Sequence, residues 1–240
     1  MAVHSRYISG ALAFYEGHRS SLVDAIGTNV AKYIDDFIDV SVDDTTGDPT
    51  AWTTTVVETG AASTTVTSDN VAGGALLITT DAAENDGANI QLNGESFKLT
   101  AGVPLYFGTR VKISEATESD LFIGLAITDT DILGGVTDRI GFEKLDGATA
   151  LKFMAEKDGT ETLSPSLATV VADTWMKLEF FYTGSALQIF VDNVEQTPIA
   201  LTNLPDNEEL RVSCHFLAGS AVAKTAHIDW IRVLQFGRSA

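Results

Sequence analysis

Cysteine is nearly absent from this chain. Cys214 stands alone, so no disulfide can form within the chain and the fold has to hold by its core. That suits a reducing compartment, or export without covalent staples. Proline is scarce too: there are five, and none interrupts the best strand-like stretches. Basic residues are outnumbered, 15 Lys and Arg against 33 Asp and Glu, for a formal net charge of −18. Phosphate backbones repel such a surface, so nucleic acid is excluded as an expected partner. The charge either serves solubility alone or offers a docking surface to a basic partner. No apolar run approaches the roughly 20 residues a membrane-spanning helix needs, so no membrane partner is expected. MAVHSRYISGALAFYEG does not follow a signal-peptide plan. Ser9 and Gly10 break its apolar run, and Glu16 follows. Synthesis in a cytoplasm is expected.

What is present is strand. Apolar residues make up 45% of the 240, enough to bury a core without metal or disulfide support. From Asp36 onward apolar and polar residues alternate. Leu105, Phe107, Thr109 and Val111 form one such row, and Met176, Leu178, Phe180 and Tyr182 another. Val212, Cys214 and Phe216 point inward, with Arg211, Ser213 and His215 outward. LFIGLAI, Leu121 to Ile127, is apolar on both faces and reads as a central strand. WTTTVVETGAASTTVT, Trp52 to Thr67, reads as strand with a turn at Gly60, and Ile228 and Trp230 share one side of the last strand. Asp146-Gly147, Asp158-Gly159 and Asp192-Asn193 are tight-turn signals. Many short strands with turn residues between them imply an all-β, antiparallel sandwich.

Residues 1–36 differ, and we read them as an N-terminal arm ahead of a sandwich spanning 37–240. YISGALAFYEGHR reads as extended. Ser21 to Asp24 fits a helix capping box, and Leu22, Ile26, Val30 and Ile34 recur every four residues, so the arm includes a possible short helix.

One stretch invites a catalytic reading. EKDGTE, Glu156 to Glu161, has the Glu-x-Asp-x-x-Glu spacing by which a family of polysaccharide-cleaving β-sandwich enzymes supplies nucleophile, helper and acid. In that family the residues between the acids anchor a strand in the core. Here they are Lys157, Gly159 and Thr160, which cannot. Asp158-Gly159 instead makes a hairpin that sets Lys157 opposite Thr160 and Glu156 opposite Glu161. At a solvated hairpin end nothing raises a carboxyl pKa, as a general acid requires. His4, His18, His215 and His227 show no metal spacing, and His215 and His227 read as surface residues. Asp129-Thr130-Asp131 and Asp43-Asp44 read as acidic turns rather than a Ca²⁺ site. Neither a phosphate loop nor a nucleophile elbow is visible. We therefore expect no catalytic residues, no cofactor and no metal.

WMKLEFFYTGSALQIFVDN, Trp175 to Asn193, is similar to the concanavalin A-like jelly-roll superfamily of laminin-G modules, legume lectins and glucanases. DDTTGDPTAWTTTVVE, GGALLITTDAAENDGANIQLNGESF, SDLFIGLAITDT, EKDGTET and TNLPDNEELR together resemble virion structural proteins of tailed phages over roughly residues 7 to 238. The resemblance implies a non-enzymatic capsid decoration or cement protein on the virion surface. It would dock on the major capsid protein and assemble as a homo-oligomer, often a trimer. Its alternative is a lectin-like or fibre module contacting host glycans; the aromatic candidates for sugar, Tyr106 and Trp52, read rather as core or interface residues. For partner contact we single out Tyr7, Phe14, Tyr15 and Arg19, because aromatic and Arg side chains dominate interface energies.

Overall fold

The computed structural model describes residues 3–8, 11–16, 30–43, 47–58, 64–69 and 71–237. In chain order the strands are β1 (Val3–Ile8), β2 (Ala11–Glu16), β3 (Val30–Asp35), β4 (Trp52–Val57), β5 (Thr65–Ser68) and β6 (Leu76–Thr79). Then come β7 (Gly87–Leu92), β8 (Leu105–Ile113), β9 (Ser119–Ala126), β10 (Arg139–Lys144), β11 (Ala150–Lys157) and β12 (Thr160–Leu163). The chain ends with β13 (Ala168–Thr169), β14 (Met176–Tyr182), β15 (Leu187–Val191), β16 (Val194–Gln196), β17 (Arg211–Ala218) and β18 (Thr225–Phe236). There is no helix among the described residues.

β1 and β2 pair as a hairpin, and the remaining strands form two eight-stranded sheets. The front sheet runs β12-β11-β10-β9-β17-β7-β4, with β13 also on β11. The back sheet runs β16-β15-β14-β8-β18-β6-β5, with β3 also on β18. Every pairing is antiparallel. The inner faces meet in one apolar core. Phe107 stacks on Phe180 at 5.2 Å, and Phe153 meets Phe180 edge-on at 5.3 Å. Such ring contacts add to the burial of apolar area that drives the sheets together. The architecture is a concanavalin A-like jelly roll, as expected.

The turn signals fold as read. Asp158 and Gly159 both take positive φ (49° and 72°), as do Asp192 and Asn193 (48° and 69°). These are the backbone twists that two-residue hairpins need. Cys214 is buried and surrounded by apolar neighbours, which pushes its thiol up to about 12.

Two expectations change. Val30 and Ile34 lie in a strand, not a helix. β3 pairs with β18 from Val30↔Phe236 to Asp35↔Ile231, so residues 30–35 belong to the back sheet. A spacing of four satisfies period two as well as it satisfies a helix, and both side chains pack on the outer-face cluster of Tyr106, Phe181, Phe190 and Leu234. Leu22 and Ile26 fall outside the described residues. Trp52–Val57 and Thr65–Ser68 are strands as read, β4 joining β7 in the front sheet and β5 joining β6 in the back sheet, while Gly60 lies outside the described residues. In β18 a register shift between Ile228 and Trp230 puts the two on opposite faces. Ile228 stays in the core while Trp230 packs under the Arg232 guanidinium, 5.1 Å away. Tyr106 and Trp52 are both buried, in keeping with their reading as core residues rather than sugar contacts.

Candidate functional site

The site lies on the outer face of the front sheet. Alternation fixes which side chains reach it. From β7 come Asn89 and Gln91, and from β17 Arg211, Ser213 and His215. From β9 come Phe122 and Ala126, from β10 Arg139 and Glu143, and from β11 Met154 and Glu156. The middle of the face is flat, because Gly124 and Gly141 oppose each other across β9 and β10.

A buried charge cluster dominates one half. Arg139 donates from Nε to Glu156 Oε2 at 2.7 Å, and its other nitrogen lies 3.5 Å from Glu143 Oε2. The guanidinium also sits 5.6 Å from the centre of the Phe122 ring. Glu143 and Glu156 are only 5% and 9% exposed. Burial raises the Glu143 carboxyl above its ordinary range. Arg139 and Lys152 oppose that, while Glu161 and Glu156 add to it.

The other half is polar and covered. The connection between β9 and β10, residues 127–138, turns back across the sheet face instead of closing directly. Asn89 Nδ2 donates to Asp129 O at 2.7 Å, and Gln91 Nε2 donates to Ile127 O at 2.8 Å. The Asp129 amide returns a bond to Gln91 Oε1. Ile132 is gripped twice: its N–H donates to His215 Nδ1 at 3.2 Å, and its carbonyl accepts from Arg139 at 2.6 Å. Ile132 and Val136 pack on Phe122, Ala126 and Met154.

EKDGTE folds as the expected hairpin, with Glu156↔Glu161 and Lys157↔Thr160. Its surroundings are not as expected. Glu156 is buried against Arg139 rather than solvated, and the hairpin tip is tied to the 127–138 connection by Gly159 N to Thr137 O at 2.9 Å. His215 is 1% exposed rather than a surface residue. Burial chiefly, with Arg139 nearby, pulls it down to about 4, while Asp131 pulls the other way. His227 is half-buried, with Nδ1 2.7 Å from Asp69 and its ring against Trp175. Asp129 and Asp131 belong to the covering connection, whereas Asp44 lies outside the described residues. Among the described residues no group of three or more His, Cys, Asp and Glu could hold a metal ion. Of the residues chosen for partner contact, Tyr7 lies in β1 opposite Leu12, and Phe14 and Tyr15 lie in β2 opposite Ser5 and His4. Arg19 lies outside the described residues. Arg139 and Glu143 escaped sequence reasoning. Their only signal was charge inside RIGFEK, a segment short of strong alternation.

No family model matches the sequence, and no curated protein matches it. The fold has clear likenesses among solved structures. An endo-1,3-beta-glucanase from Streptomyces sioyaensis aligns over 90% of this chain and 100% of its own, with TM-score 0.60 and 13% identity. The Bacillus licheniformis beta-glucanase aligns over 86% of this chain and 98% of its own, with TM-score 0.58 and 15% identity. A protein of unknown function from Shewanella oneidensis MR-1 aligns over 92% and 94%, with TM-score 0.57 and 16% identity.

These likenesses place the chain's fold with glucanase-type jelly rolls, and none of them concerns a virion protein. They also correct the expectation that the chain is not an enzyme. That expectation rested on missing site chemistry and a resemblance to structural proteins. The same fold, over most of this chain, is carried by solved endo-glucanases, and Glu156, buried in the front sheet, had been read as part of a solvated turn.

Proposed function

We propose that this chain binds and cleaves a β-linked glucan on its front-sheet face, with Glu143 and Glu156 as the carboxylate pair. The observation that carries the reading is the sharing of one buried guanidinium, Arg139, by two carboxylates on neighbouring strands. Glycoside hydrolysis needs one carboxyl that holds its proton and one that is ionised. Burial holds Glu143 above the ordinary carboxyl range, so it is the proton donor. Glu156, in direct contact with Arg139 Nε, is the ionised partner. The endo-glucanase likenesses support the substrate class through the shared fold.

The test is release of reducing ends from a β-1,3-glucan and a mixed-linkage glucan. Glu143→Gln and Glu156→Gln should each lower release by about a hundredfold or more, the usual scale of acid–base catalysis. Wild-type protein that neither releases reducing ends nor is retarded by either glucan in affinity electrophoresis would sink the reading.

A further inference from the structure

We infer that residues 127–138 are a lid over the glucan-binding face, and that His215 and Asn89 are the sugar-hydroxyl contacts beneath it; the inference rests on the glucan reading above. β9 and β10 are antiparallel neighbours, which a connection of about 2–5 residues would join. The segment is far longer than that and lies across the sheet instead. The face it covers is not what a loop needs as a seat. Asn89, Gln91, Arg211, Ser213 and His215 make it polar, and polar groups taken from water cost free energy unless each finds a partner.

Some find none. His215 Nε2, Asn89 Oδ1 and Arg211 Nε are buried without a hydrogen-bond partner among the described residues. Because Ile132 N–H occupies His215 Nδ1, the ring proton sits on Nε2, a donor without an acceptor. Asn89 gives its amide to Asp129 O, which leaves its Oδ1 an acceptor without a donor. The two residues face each other in register across β17 and β7. A neutral donor beside a neutral acceptor matches a sugar hydroxyl, which accepts one hydrogen bond and donates another. Gln91 and Asn89 tie down the start of the lid and Gly159 its far end, while at its centre one peptide, that of Ile132, bridges His215 and Arg139 and two apolar side chains seat it. Lifting Ile132 uncovers the hydroxyl contacts and the carboxylate pair together.

The experiment uses the full chain with a β-1,3-linked hexasaccharide and a mixed-linkage tetrasaccharide as probes. Saturating oligosaccharide should speed hydrogen exchange at the Ile132 amide by about fivefold or more, as its bond to His215 is released. Ile132→Ala loosens the lid without touching the contacts, so Kd should fall by about fivefold, because the open state is more populated. His215→Phe removes the Nε2 donor, so Kd should rise by about tenfold. Opposite shifts from two changes at one contact are not what a merely structural loop gives. Binding that leaves the Ile132 amide equally protected, or variants that shift Kd in the same direction, would overturn the lid while leaving the glucan reading in place. No binding by either probe would overturn both.

Discussion

The Ile132 amide donates to His215 Nδ1 at 3.2 Å, and this bond ties the middle of the covering segment to the sheet while holding the imidazole neutral. A protonated ring has no lone pair to accept it. His215 sits near 4 in the fold, against about 6.5 when exposed. Its folded pKa is lowered, so the stability it contributes is complete above about 6.5 and is lost as pH falls towards 4. The difference corresponds to on the order of 3 kcal/mol. Asp131 from the covering segment and Arg139 from β10 act on the ring in opposite senses. Thermal melts of wild type should drop steeply between pH 6.5 and about 4. The His215→Phe profile should be flatter in that window, and parallel profiles would refute the assignment.

Arg139 is shared by two carboxyl groups that have little access to water, and is in direct contact with Glu156. Removing one member of a buried ionic group leaves the others uncompensated, at a cost of about 3–5 kcal/mol. Arg139→Met should show that loss by urea denaturation at pH 7. Part of it should return in the double variant with Glu156→Gln, since the carboxylate in direct contact with the guanidinium is then gone. A double variant no more stable than Arg139→Met would mean that Glu156 is not coupled to the guanidinium.

Gly124 tests the flat centre of the same face. A Cβ there would lie 2.2 Å from the Ile140 carbonyl oxygen and 2.6 Å from the Gly141 Cα. Both obstacles are backbone of the paired strand, so no rotamer change relieves them. Gly124→Ala should therefore cost about 3 kcal/mol or more in urea-midpoint experiments, at the upper end of overpacking effects. Gly147→Ala, where a Cβ would meet nothing within 4 Å and only the positive φ of 75° opposes it, should cost clearly less.

The sandwich was legible because its signals are local. Alternation in Leu105–Val111 and Val212–Phe216 marks one buried face, and Asp-Gly pairs mark the reversals, so the EKDGTE register came out correctly down to Glu156↔Glu161. The site was not legible, because its chemistry arises across strands. Arg139 and Glu156 are 17 positions apart, and nothing in either segment announces their contact. Outward positions were equated with solvent, which failed for His215 and Glu156 because residues 127–138 fold back over them. Sequence gives the face a side chain points to, but what covers that face depends on a loop whose path has no period. Val30 and Ile34 show the complementary limit, since a spacing of four does not separate helix from strand.

Lys144 offers the last test, because its ammonium is buried against neutral acceptors rather than in an ion pair. Its Nζ donates to Thr117 O at 2.8 Å, to Ser119 Oγ at 3.1 Å and to Ser119 O. Burial pulls its pKa down to about 8, although Asp120, Asp146 and Glu115 act in the other direction. The folded protein thus binds fewer protons than the unfolded chain between about 8 and 10.5, and stability from this group rises with pH across that window. Other groups titrate there too, so the informative quantity is the difference between wild type and Lys144→Met. At pH 7 the variant leaves those carbonyls without their donor and should be less stable by about 1–3 kcal/mol. By pH 10 the gap should widen, because wild type gains from deprotonation while Met has no proton to lose. A gap that narrows towards pH 10 would show that the ammonium is favoured in the fold, and that the three acceptors outweigh the loss of water around it.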